Sequence, residues 1–132
     1  MKIIRSEQIA PPGGHYSHAI VHDRTVYVSG QLGRGPGMTD SEAGDIEAQT
    51  RRCLGNIEAI LRAAGSDLQQ LLKVTIYLSD ISMWPAVNAI YAQILGSHRP
   101  ARAVVRRASC TSVRCSRSRP SRPWDNPDAP AA

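Results

Sequence analysis

Residues 71–105, LLKVTIYLSDISMWPAVNAIYAQILGSHRPARAVV, change their period twice. Over Leu71–Leu78 the side chains are β-branched and roughly alternate, the pattern of a half-buried strand. After Ser79 the apolar residues Trp84, Val87, Ile90, Tyr91, Ile94 and Leu95 recur at helical spacing and make one face. Asp80 or Ser82 is the candidate cap, Pro85 is tolerated in the first turn, and Gly96 closes the helix. Residues 101–105 begin another strand.

Upstream, HYSHAIVHDRTVYVSGQ (15–31) predicts two short strands, about 16–21 and 25–29, joined by the turn His22-Asp23-Arg24. A glycine-rich loop without periodicity follows. Asp45 then caps a helix whose stripe is Ile46, Cys53, Leu54, Ile57, Ile60, Leu61 and Ala64, and Gly65 ends it. Arg51, Arg52 and Glu58 lie off that stripe, on the expected solvated side. The order β-β-α-β-α-β argues an α/β (α+β) sandwich, with helices on one face of a mixed sheet. No internal repeat is visible.

The chain has 132 residues, which is one domain by length, and 42% hydrophobic with 20% charged residues is ordinary globular composition. Its formal charge of +5 is uneven. From Arg106 onward stand six Arg and two Asp, a balance of +4, so the basic character belongs to the tail. Four of the nine prolines also lie there, with Val113 and Trp124 its only large apolar residues. The expectation is a domain over 1–105 and a basic, disordered tail over 106–132 that packs against nothing. Three cysteines without framework spacing, no secretory h-region and no membrane-length apolar run point to a cytoplasmic protein with reduced thiols.

Candidate chemistry is sparse. His15 and His18 are three apart, which on a strand turns them to opposite faces, so no metal site is expected. Gly33, Gly35 and Gly37 resemble a phosphate cradle, but no Lys-Ser/Thr follows and a plain loop is the better reading. Arg102, flanked by Ala101 and Ala103, is either a guanidinium awaiting a carboxylate or an edge-strand residue facing water. Tyr16 by position alone reads as a core aromatic.

Together the blocks HYSHAIV, VYVSGQ, GDIEAQTRRCLGNIEAIL, VTIYLSDISMWPAVNAIY and HRPARAVV resemble, in order, those of the Rid/YjgF family of enamine/imine deaminases, over about residues 8–105. The resemblance implies a chorismate-mutase-like fold, a cofactor-free homotrimer and active sites between subunits. It implies hydrolysis of 2-aminoacrylate and 2-iminopropanoate-type compounds, released by pyridoxal-phosphate dehydratases, to 2-keto acids and ammonia, a detoxification of reactive intermediates. Carried over by position, Arg102 clamps the substrate carboxylate, Tyr16 lines the cleft, Ser29 and Gly30 shape its wall, and Asn88 lies in a matching block.

The chain departs from that pattern in three places. The family has Pro-Tyr-Ser-Gln where HYSH stands, which makes His15 and His18 substitutions near the cleft. The loop after SGQ is richer in glycine. The family's final strand ends in Glu-Ile-Glu-Ala, whose first Glu positions the attacking water; here that strand and that Glu are expected to be missing. Back-translation of residues 109–125 with permitted codons, read one base earlier, gives Glu-Leu-His-Phe-Gly-Ala-Leu-Leu-Glu-Ile-Glu-Ala-Ile-Ala-Ala-Val-Gly. The tail thus reads as the right gene in the wrong frame. Two further readings stand beside an impaired deaminase: a ligand-binding or regulatory trimer without catalysis, and an RNA binder or ribonuclease acting through the basic tail. Small imino and enamine acids are the expected partners, ahead of nucleic acid or membrane.

Overall fold

In a computed structural model, which describes residues 1–107 and 112–118, a seven-stranded sheet carries its helices on one face. The hairpin is β2 (Ala19–His22) and β3 (Thr25–Val28), antiparallel with His22 opposite Thr25. Its two-residue turn has Asp23 and Arg24 at φ 47° and 59°, the left-handed geometry that matches strand twist. Tyr16 therefore precedes the strand and is exposed, which corrects both its predicted strand and its reading as a core aromatic. Three short elements were not predicted: β1 (Lys2–Ile4) on the outer edge of β2, β4 (Gln31–Leu32), and α1 (Asp40–Ala43).

The long helix α2 (Ile46–Ala63) starts where expected, with the Asp45 carboxylate accepting from the Ala48 N–H. Cys53, Leu54, Ile57, Ile60 and Leu61 face the sheet and are at most 1% exposed, in one cluster with Val21, Val26, Val74, Ile76 and Leu78. Each such aliphatic side chain contributes about 1.5–3 kcal/mol by leaving water. β5 (Leu71–Leu78) leads through a 3₁₀ turn capped by Asp80 into α3 (Trp84–Leu95), whose first turn holds Pro85. β6 (Ala101–Arg106) returns parallel to β5, with Val74 opposite Arg102. That is the crossover a parallel pair requires.

The expectation of a missing last strand is overturned as well. A last strand, β7 (Ser112–Ser118), lies between β3 and β5 and pairs antiparallel with both, so the sheet runs β1-β2-β3-β7-β5-β6. Ile76 pairs with Val113 and Val74 with Cys115 in one register, which shifts on both sides of Lys73. A gap between β3 and β5 would strand two sets of backbone donors and acceptors, and closing the ladder outweighs the poor apolar content of the segment. β6 likewise runs past Val105, and the Arg107 N–H donates to Leu78 O. The rest of the expectation for the tail, over 108–111 and 119–132, lies outside the described residues.

Candidate functional site

The sequence-predicted residues fall into two groups on different parts of the sheet. The first is built on β6 and α3. Arg102 is exposed, on a strand at the edge of the sheet, and its Nη1 donates to Asn88 Oδ1 at 3.0 Å. Its guanidinium carbon stands 4.3 Å from the Trp84 ring centre and 5.0 Å from that of Tyr91. Helical spacing explains the grouping, because Trp84, Asn88 and Tyr91 recur at four and three residues on α3. Two aromatic faces and an amide oxygen fix the guanidinium in direction without neutralising it. No carboxylate pairs with Arg102 among the described residues. Arg102 thus lies at an exposed edge and is not buried, with its guanidinium held in place.

The second group lines a cleft of about 840 Å³ between the segment 8–16, the strand end at 30–32 and the loop 34–38. Tyr16 and Gly30 are in its wall; Arg102 and Asn88 are not. The Tyr16 hydroxyl accepts from the Gly13 N–H at 3.3 Å, and its ring is about half exposed. Ser29 is committed to structure: its hydroxyl donates to Ser17 O at 2.6 Å and its N–H to His18 O at 2.9 Å.

Two further residues hold the walls of the cleft by hydrogen bonds that the sequence does not reveal. His18 is buried, accepting at Nδ1 from the Ser6 N–H and donating from Nε2 to Ala10 O, both at 3.0 Å. It therefore ties the segment that forms one cleft wall to β2. A glutamine offers the same pair, one acceptor and one donor, which explains how histidine can stand where the family has Gln. Arg52 corrects its assignment to the solvated side. It is half-buried, and its Nη1 donates to Gly33 O and, at 3.0 Å, to Ala43 O, fastening the glycine-rich loop at both ends. Gly33 is required there, since a Cβ would meet Gln49 Cβ at 2.6 Å. At the far end of the loop Thr39 and Glu42 form a capping box, and the Thr39 N–H holds the Glu42 carboxyl below its ordinary value.

Residues 7–112 match the family described as Endoribonuclease L-PSP. The chain belongs to the Rid/YjgF family. It is 39% identical over 104 residues to a RutC family protein of Pyrococcus horikoshii, covering 79% of this chain and 82% of that one. It is 40% identical over 102 residues to the 2-iminobutanoate/2-iminopropanoate deaminase of Bos taurus, covering 77% and 74%. In structure it resembles RidA from the Antarctic bacterium Psychrobacter sp., with a TM-score of 0.80, 29% identity, and 90% and 99% of the two chains covered. The chorismate-mutase-like fold of the Rid/YjgF proteins is thereby shown for this chain, and several of its relatives, mammalian ones among them, are named as 2-iminobutanoate/2-iminopropanoate deaminases. Among the described residues no helix is long and apolar enough to cross a membrane.

Proposed function

We propose that this Rid/YjgF chain is a cofactor-free, cytoplasmic homotrimer that binds small 2-imino and enamine acids, with its site completed between subunits. The observation that carries the reading is the fixed guanidinium of Arg102, which meets no carboxylate among the described residues. Its planar fork matches a carboxylate in two parallel hydrogen bonds, and Asn88 and Trp84 orient it beforehand. Tyr16 and Gly30 stand at the cleft, away from Arg102 in the same chain, which fits a site whose halves come from different copies. A surface for self-association is available. Ile3, Ile20 and Tyr27 lie opposite one another across β1, β2 and β3, and Ile3 and Tyr27 are 59% and 42% exposed on the face away from the helices.

In the deamination, water adds to the C=N carbon, a carbinolamine forms, nitrogen takes up a proton, and ammonia leaves to give the 2-keto acid. Arg102 would orient the substrate through its carboxylate. A proton-transfer group is still needed at the water, and residues 112–118, SVRCSRS, contain no carboxylate. The reading is therefore an impaired deaminase, short of the roughly 10²–10⁴-fold that a positioned acid/base group supplies. The same observation favours, as the second reading, a ligand-binding trimer without turnover; pyruvate binding with no 2-iminopropanoate hydrolysis would select it.

The test uses the chain with residues 109–125 replaced by the alternative frame. There Arg102→Lys is expected to lose turnover of 2-iminopropanoate about 10- to 100-fold, because a point charge cannot reproduce a bidentate bond to a charged partner. Near-normal turnover would remove Arg102 from the site.

A further inference from the structure

We infer that the cleft beside Tyr16 receives the side chain of the substrate, and that it selects 2-imino acids with a large apolar side chain over the three-carbon compound. The inference rests on the proposed site and names its substrate class. Volume is the first argument. A three-carbon imino acid has six heavy atoms, which even at a water molecule's ~30 Å³ apiece fill under about 200 Å³. The cleft measures about 840 Å³, within the range of pockets that enclose whole ligands.

Lining is the second argument. Ile9, Pro11, Pro12, Leu32, Pro36 and Met38 supply apolar walls from three separate segments, and no Asp or Glu lines the cleft among the described residues. Much of the polar lining is occupied by the walls themselves. Both ring nitrogens of His18 are bonded to backbone, the Gln31 amide nitrogen donates to Ser29 O at 3.1 Å, and Arg52 Nη1 is bonded to Gly33 O and Ala43 O. Ordering is the third. Arg52 holds the loop that carries Pro36 and Met38 by its ends, so that wall exists before the ligand arrives; Arg52 is a positioning residue.

The test measures binding and turnover separately, on the full chain. Calorimetry compares 4-methyl-2-oxopentanoate, pyruvate and 2-oxoglutarate, and hydrolysis compares the imines that an amino-acid oxidase forms in situ from leucine and alanine. The branched keto acid is expected to bind about tenfold or more tighter than pyruvate, the discrimination an apolar pocket gives per methylene or more. Met38→Glu is expected to narrow that ratio at least threefold, and Arg52→Gln to narrow it with a larger change in KM than in kcat. If neither imine turns over but the binding preference holds, the deaminase reading fails and the side-chain pocket stands. Equal binding of pyruvate and 4-methyl-2-oxopentanoate would overturn the pocket whatever the turnover. Preference for 2-oxoglutarate would also overturn it and assign the cleft to an acidic side chain facing Arg34 and Arg52.

Discussion

Exchange of residues 109–125 for the alternative frame tests what the central strand now lacks. β7 keeps the ladder between β3 and β5, so the backbone loses little. The loss is in side chains. Its register partners Val26, Leu71, Val74 and Ile76 are at most 1% exposed, whereas SVRCSRS offers one large aliphatic residue over seven positions. The alternative frame puts Phe, two Leu and Ile into the same span. Every second residue of a strand faces the core, so about two of these side chains would be buried, at about 1.5–3 kcal/mol each. A gain of about 3–6 kcal/mol is a large part of the roughly 5–15 kcal/mol that holds a domain together. At about 4 °C per kcal/mol for a chain of this size, the thermal midpoint should rise by about 12–24 °C. Differential scanning calorimetry reads the midpoint, and hydrolysis of 2-iminopropanoate reads the regained carboxylate. Equal midpoints and equal rates in the two chains would refute the reasoning, and with it the reading of the tail as a shifted frame.

Two smaller perturbations follow from local geometry. His18→Ala should cost about 1–3 kcal/mol by leaving the buried Ser6 N–H without an acceptor, and should speed amide exchange over residues 6–12. His18→Gln should keep both bonds and most of the stability; equal losses in the two variants would mean that ring volume, not hydrogen bonding, is what the site needs. Arg24→Gly should stabilise the hairpin by up to about 1 kcal/mol in chemical denaturation, since an L-residue in the left-handed region costs roughly 1–2 kcal/mol and glycine returns part of that as chain entropy. A lower midpoint would mean that the Arg24 side chain makes a contact worth more than the strain.

Long periodic segments were legible in the sequence because burial on one face is what writes a period. α2, β5 and α3 follow from it, and so does the side of the sheet that the helices cover, whereas β6, exposed or half-buried throughout, is legible only by its apolar start. β1 and β4 are three and two residues long, too short for alternation to register. α1 carries its own signal in the sequence, since Thr39 with Glu42 three residues later is the capping-box pattern. β7 could not be read at all: its pairing is imposed by the two strands beside it, not by its own residues. Arg52 misled for a related reason, because a helical wheel shows which residues avoid the sheet but not that a loop returns over the helix. Of the site, Arg102, Asn88, Tyr16 and Gly30 were reached by resemblance to a family, and the cleft itself only by structure.

The arrangement of those four residues makes one more prediction. Arg102 and Asn88 lie on β6 and α3, while Tyr16 and Gly30 line the cleft before β2 and after β3. If the halves combine across a cyclic interface, each site takes Arg102 from one subunit and Tyr16 from its neighbour. Arg102→Ala chains and Tyr16→Ala chains then each lack every site, yet a trimer refolded from both recovers some. A given interface is intact when the first subunit keeps Arg102 and the next keeps Tyr16, and in an equal random mixture of cyclic trimers that holds for about one interface in four. Titration with 4-methyl-2-oxopentanoate should therefore find about a quarter of the wild-type sites in the mixture and next to none in either variant alone. Sites completed within one chain would leave the mixture no better than its parts. That outcome would require the loop at 30–38 or the segment before β2 to move until it meets Arg102, and would end the trimeric reading of the site.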